Sequence, residues 1–131
     1  MTKWEQRIDQ LFPRMVEWRR HLHENPELSY KEERTMQFIK SKLTDLDLDI
    51  EDHVGGYGLT ALLRGGKPGP TVALRADIDA LPIQDEKNLP YSSKIPGVMH
   101  ACGHDGHTTT LLTVAGLLSE IREDLAGNVK F

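Results

Sequence analysis

Apolar residues recur near the start of the chain in steps of three and four: Trp4 is followed by Ile8, Leu11, Phe12, Met15, Trp18 and Leu22. That spacing keeps side chains on one face of an α-helix, and it predicts a first helix ending near Asn25-Pro26. Pro13 lies inside the pattern and lacks a backbone donor, so the helix either kinks there or begins near Phe12. A second helix is predicted to run to about Thr44. Ser29 supplies an N-cap oxygen, Glu32 stands three residues on as in a capping box, and Met36, Ile39 and Leu43 follow at helical spacing.

The period then changes to two. Leu46, Leu48 and Ile50 alternate with Asp45, Asp47, Asp49 and Glu51, which predicts a half-buried strand. Gly55 to Gly58 punctuates it, and Leu59 to Arg64 forms a second extended run. Gly65-Gly66-Lys67-Pro68-Gly69-Pro70 reads as a turn in which glycine supplies positive φ and proline a fixed φ. Thr71 to Ala76 is nearly all apolar, as in a strand covered on both faces, and Asp77 and Asp79 follow its end. Leu81 to Met99 carries Pro82, Pro90 and Pro96 without periodicity and is expected to be a long functional loop. From Thr108 a largely buried helix is predicted, with Leu111, Leu112, Val114, Ala115, Leu117, Leu118 and Ile121 apolar and Gly127-Asn128 as its stop. Val129 to Phe131 opens a further strand. As the last strand it would leave a sheet edge unpaired, with the apolar helix face only partly covered, a combination that favours association.

The 131 residues suit one domain, and no repeat or linker divides them. A net charge of −4 offers no electrostatic case for nucleic acid or an anionic membrane. The apolar runs fall far short of the roughly 20 residues that span a bilayer. The residues after Met1 lead into charged helical sequence without a signal-peptide pattern, so a cytoplasmic location is expected.

Chemistry concentrates between His100 and His107, where three histidines, Cys102 and Asp105 fall together. These are transition-metal ligands. Cys102 and His104 alternate across Gly103, so in an extended loop both side chains would face one ion, and the following helix N-terminus would favour a thiolate. The plain alternative is a small buried cysteine among loop histidines. Asp77 and Asp79 stand at the strand edge where open α/β sheets bind ligands. They could coordinate an ion, orient a ligand histidine, or simply end the strand. The Asp45, Asp47, Asp49 run lacks the Gly and Glu of a calcium loop and reads as a solvated face. A cysteine nucleophile would need His21, His23 or His53 to approach Cys102 in space, and it would leave the other histidines unexplained.

Three segments in order, Arg19-Arg20-His21-Leu22-His23-Glu24-Asn25-Pro26-Glu27-Leu28-Ser29, Leu74-Arg75-Ala76-Asp77-Ile78-Asp79-Ala80-Leu81-Pro82-Ile83 and Met99-His100-Ala101-Cys102-Gly103-His104-Asp105-Gly106-His107-Thr108, resemble successive signatures of the amidohydrolase branch of the M20 metallopeptidases. The branch includes N-acyl-L-amino-acid amidohydrolases, hippurate hydrolases and auxin-conjugate hydrolases. The resemblance implies an α/β fold: residues 1–131 as the N-terminal part of a zinc-peptidase-like three-layer α/β/α catalytic domain with a mixed sheet. It implies Cys102 and His104 as ligands of a two-ion divalent centre (Zn, Mn, Co or Ni). Asp77 carries over as a site carboxylate, with Arg75 at the position where the wider family has histidine. The implied reaction is hydrolysis of the amide bond of a small N-acyl amino acid. In the family, a Glu-Glu pair, further histidines and an inserted dimerisation domain come later in the chain. These 131 residues are therefore expected to be inactive alone, and the full-length enzyme homo-oligomeric. A non-catalytic metal-binding or assembly module is the alternative.

Overall fold

The computed structural model describes all 131 residues. Thr2 caps α1 (Lys3–Glu24): its hydroxyl accepts from the Glu5 amide while the Glu5 carboxylate accepts from the Thr2 amide. The helix runs through Pro13 rather than starting after it, since an exposed proline in the middle of an already nucleated helix removes one backbone bond. Only part of the predicted stripe is buried. Leu11 and Leu22 are enclosed, whereas Trp4, Ile8 and Phe12 are exposed.

Helix α2 (Glu33–Leu43) begins later than predicted, and Ser29 does not cap it. The cap comes from outside the helix. Glu27 accepts from the Arg34 and Thr35 amides at 3.2 and 2.7 Å and from the Thr35 hydroxyl at 2.7 Å, which satisfies donors that every helix start leaves open.

Strands β1 (Asp49–Val54), β2 (Gly58–Arg64), β3 (Lys67–Ala73) and β4 (Ala126–Lys130) form one mixed sheet in the order β1-β2-β4-β3. The β1–β2 and β2–β4 pairs are antiparallel, and β3 runs parallel to β4. β1 begins later than the alternating leucines from Leu46 predict, because Thr44–Leu46 closes α2 as a 3-10 turn and Asp47 takes a left-handed φ of 51°. The carboxylates of that segment are solvated. Asp47 pairs with Arg122 and Asp49 with Arg64.

The final strand is not an open edge. β4 lies between β2 and β3, and Phe131 exchanges both backbone hydrogen bonds with Ala61 at 2.8 and 2.9 Å. It starts at Ala126, so Gly127 and Asn128 belong to the strand, and the preceding helix ends at Glu120 instead of reaching them. β3 is one of the two edge strands, exposed along its whole length rather than covered on both faces. The reason is topological: β4 is its only strand neighbour, and α2 packs at the opposite end of the sheet, on β1 and β2.

The glycines of the 65–70 segment act through size, not through φ. None of them has positive φ, and Lys67 to Pro70 is already strand. A Cβ on Gly65 would lie 2.1 Å from the Gly127 carbonyl oxygen, and one on Gly69 2.6 Å from the Ala126 carbonyl carbon. The register shifts between Lys67 and Thr71, where two prolines supply no ladder donor.

Ile39 and Leu43 of α2, Ala61 of β2, and Leu112 and Ala115 of α3 (His104–Glu120) make the core. Leu111 is only half buried. It lines a cavity of about 610 Å³ between α2, α3 and the sheet, shared with Leu59, Leu74 and Phe131, so α3 is covered in part, where its composition suggested a largely buried helix.

A second, polar contact ties α1 to α3. Asp105, almost fully buried, accepts from His23 Nδ1 at 2.7 Å and pairs with Arg19 Nε at 3.0 Å. The other edge of the His23 ring faces Asp85 of the Leu81–Met99 segment, with Nε2 3.6 Å from its Oδ2. Asp85 has a fully buried carboxylate and accepts from the Ser93 and Lys87 amides at 2.9 and 3.1 Å. The long loop is thereby folded around one carboxylate.

Those amide donors, Ser93 first, hold the Asp85 carboxyl below the usual aspartate value of 3.8. A depressed folded-state pKa contributes stability that is complete above the unfolded value and lost as pH falls through the folded one. Urea titrations should therefore show stability falling below about pH 4, the region of the ordinary aspartate pKa; Asp85→Asn should be less stable near pH 7 and show a flatter acid limb.

Two glycines should respond in opposite directions. At Gly127, φ is +95° and a Cβ would lie 2.0 Å from the Pro70 carbonyl oxygen, so Gly127→Ala should cost about 2 kcal/mol or more. Gly116 has nothing within 4 Å of the Cβ position inside α3, and Gly116→Ala should be neutral or stabilise by about 0.5–1 kcal/mol. Urea denaturation of each variant checks both.

Candidate metal centre

Helix α3 opens at His104, four residues before the predicted start at Thr108, because Gly103 takes φ +85° and turns the chain into the first helical turn. Cys102 and His104 are therefore not two alternate residues of one extended loop. Cys102 is exposed on the approach, and His104 is the first residue of the helix.

This start divides the dense His100–His107 segment. Asp105 turns inward to His23 and Arg19, and His107 lies on the surface, its ring centroid 6.1 Å from that of His104. His100 is 5% exposed, and neither of its ring nitrogens has a hydrogen-bond partner. Burial pushes its imidazole below the ordinary histidine value, against the opposing charge of Asp105.

The His104 ring is oriented from the end of the segment that follows β3. Its Nδ1–H donates to Asp79 Oδ1 at 2.9 Å and lies 3.0 Å from the Asp79 carbonyl oxygen. Since both acceptors lie on Nδ1, the tautomer is set and Nε2 keeps its lone pair. The Ser29 hydroxyl donates to the other carboxylate oxygen, Oδ2, at 2.5 Å and is the main cause that holds Asp79 below the usual carboxylate range.

Asp77 is placed differently. Its half-exposed carboxylate is held by Arg75 at 2.9 Å, and only its backbone carbonyl meets α3, accepting from the Thr108 hydroxyl at 3.1 Å. Of the two candidate carboxylates, the one hydrogen-bonded to His104 belongs to Asp79.

None of the three histidines considered as a base for Cys102 is hydrogen-bonded to it. His21 stacks on Phe38 with centroids 4.2 Å apart, His23 is bound to Asp105, and His53 sits beside Asp52 and Tyr57. A thiolate and an imidazole with a free Nε2 do suit a divalent transition ion. The donor chemistry of Cys102 and His104 fits such a group as part of a ligand set, since no three His, Cys, Asp or Glu side chains are gathered around one point.

His23, Asp85 and Ser29 were the residues least visible beforehand. In the sequence His23 is a candidate only as a base for Cys102, and its burial next to Leu22 on α1 has no signal of its own. Asp85 lies in aperiodic sequence and has none, and Ser29 carried a stronger helix-capping signal than its observed role.

The model of "Peptidase family M20/M25/M40" matches residues 73–131, from the end of β3 through α3 to β4. YhaA of Bacillus subtilis, whose name places it among the amidohydrolases, is 59% identical over 92% of this chain. The N-acyl-L-amino acid amidohydrolase of Geobacillus stearothermophilus is 46% identical over the full chain. The structure of the Bacillus subtilis YXEP protein, described as a dinuclear metal binding peptidase from the M20 family, superposes with a TM-score of 0.89 at 44% identity over 94% of this chain. The chain spans 30%, 36% and 34% of the lengths of these three proteins. A fold and a signature segment shared at such identities make this chain similar to the M20/M25/M40 peptidases, and the two relatives named carry amidohydrolase names.

Proposed function

We propose that the chain forms part of a metal-dependent amidohydrolase that cleaves the amide bond of small N-acyl amino acids, and that Cys102 and His104 are two of its metal ligands. One observation carries the reading: His104 presents Nε2 at the start of α3, with Nδ1 held by Asp79 and the exposed thiol of Cys102 two residues before it. The amidohydrolase names of the relatives support the substrate class. The N-acyl specificity of the Geobacillus relative supports the finer reading.

A divalent ion, when bound, polarises the acyl carbonyl and makes a water acidic enough to attack near neutral pH. This chain's own residues do the holding. His104 offers Nε2 in a fixed direction, Asp79 keeps the ring in one tautomer and raises its basicity as a ligand, and Gly103 sets the angle between Cys102 and the helix. The strand-end pattern leaves the orienting role open to both carboxylates, and the resemblance carries over Asp77 as the site carboxylate; we assign the orienting role to Asp79. The non-catalytic alternative is favoured by one fact, that the chain gathers no group of three donors around a point. It predicts metal binding without turnover in the full-length protein.

In the full-length protein, Cys102→Ala and His104→Ala should each lose bound metal and lower hydrolysis of N-acetyl amino acids by at least about 100-fold, with chelation and re-addition of Zn, Mn, Co or Ni removing and restoring activity in wild type. Elemental analysis beside the kinetics checks it. Either variant keeping full metal and full turnover contradicts the ligand assignment.

Asp79→Asn should lower turnover or metal affinity by about 10- to 100-fold, the usual effect of removing a carboxylate behind a ligand histidine. Asp77→Asn should fall much less, since Arg75 already engages that carboxylate at the surface. Parallel kinetics and metal titrations of the two variants decide between the carboxylates, and a larger loss at Asp77 would reverse the assignment.

A further inference from the structure

We propose that Ser29 is a positioning residue of the metal centre, clamping the free oxygen of Asp79 so that the other oxygen holds His104 in one orientation; the proposal rests on the ligand role given to His104 above. The Asp79 carboxylate has two oxygens with two different partners. Oδ1 accepts from His104 Nδ1 at 2.9 Å, and Oδ2 accepts from the Ser29 hydroxyl at 2.5 Å. A carboxylate bound on one side alone is free to turn about its terminal torsion, which is soft and broad. Bound on both sides, it has one setting.

The contact is built by the backbone and not by a chance rotamer of an exposed serine. Leu28 forms a parallel bridge with Ala80, and the Ala80 amide donates to the Glu27 carbonyl at 2.8 Å. These bonds fix the Glu27–Ser29 segment against the Asp79–Ala80 segment, 50 residues later in the chain. Glu27 meanwhile caps α2 through the Arg34 and Thr35 amides, so the segment is anchored from both ends. Ser29 has no competing duty: α2 starts at Glu33 with no side-chain cap of its own.

The expected size of the effect follows from the geometry. His104 Nδ1 keeps the Asp79 carbonyl oxygen at 3.0 Å even if the carboxylate turns away. Loss of the Ser29 hydroxyl should therefore be milder than loss of the carboxylate, about 3- to 10-fold in metal affinity against about 10- to 100-fold.

The test uses the full-length protein and Co(II) alone as the probe. Affinity is read by competition with a chelator, and ligand geometry by the visible absorption of the bound ion. Ser29→Ala should weaken Co(II) binding by about 3- to 10-fold and alter the spectrum, while the metal-free protein still unfolds in one cooperative urea transition whose midpoint falls no further than that of Asp79→Asn. Ser29→Thr, which keeps the hydroxyl, should restore both. In an Asp79→Asn background, Ser29→Ala should add nothing. Wild-type affinity and spectrum in Ser29→Ala, failure of threonine to rescue, or additivity with Asp79→Asn would each overturn the proposal. His104→Ala binding Co(II) as tightly as wild type would instead remove the ligand reading itself, so the two failures are told apart.

Discussion

The contact between Asp105 and the pair His23 and Arg19 holds the first turn of α3, which Gly103 opens, against α1, and most of the site follows from that orientation. Asp105 is buried with its carboxylate 2.7 Å from His23 Nδ1 and 3.0 Å from Arg19 Nε. Left without partners in that position it would be destabilising by about 3–5 kcal/mol, so the first turn of α3 cannot rotate away from α1 cheaply. His104 is one residue earlier and lies on a different side of the same turn. Fixing Asp105 inward therefore fixes His104 outward, toward Asp79.

The same reasoning extends to the Leu81–Met99 segment. A long stretch without helix or strand has few backbone bonds of its own, and here a buried carboxylate supplies the organisation: Asp85 gathers the Lys87 and Ser93 amides and faces the far edge of His23. Leu81 and Met99 close the segment with reciprocal backbone bonds at 2.9 and 3.0 Å. The chain passes Asp79 beyond the end of β3, turns around Asp85 and returns at His100, so both sides of the candidate metal centre hang from one buried cluster.

Periodicity made the elements legible and the local chemistry made the residue types legible, but partners across the fold were not. Three helices and four strands sit near the places that spacing of three-and-four or of two predicts. The errors have specific causes. Ser29 and Glu32 form a capping pattern, yet Glu27 reaches the Arg34 and Thr35 amides from the preceding segment and displaces the local cap. Gly65 and Gly69 look like turn residues because glycine in turns and glycine at a close backbone approach are the same letter; only the β4 backbone 2.1–2.6 Å from their absent Cβ atoms tells them apart. Thr71 to Ala76 read as a doubly covered strand, since apolar composition reports what a strand is suited to meet and not what this chain brings to it; the strand ends at Ala73 and is exposed. At the site, the Cys102–His104 pair was visible as a cluster, and the Asp77–Asp79 pair as two carboxylates at a strand end. Which of the two faces His104 depends on strand-end geometry that spacing alone does not contain.

That geometry also explains why Asp79 is better placed than Asp77 to serve a histidine. Alternate residues of an extended segment point the same way in an ideal strand, but the chain leaves ladder geometry after Ala73 and meets Leu28 through an isolated bridge at Ala80. The bridge sets Asp79 beside Ser29 and under the start of α3, where its carbonyl and carboxylate oxygens both lie within 3.0 Å of one imidazole nitrogen. Asp77, two residues closer to the open edge, has Arg75 and solvent instead. A histidine held at one nitrogen by two acceptors loses little orientational freedom when its other nitrogen takes a ligand. Preorganisation of that kind comes from a backbone bridge, a helix start and a buried ion pair acting on one side chain, and none of the three is a property of His104 or its immediate neighbours alone.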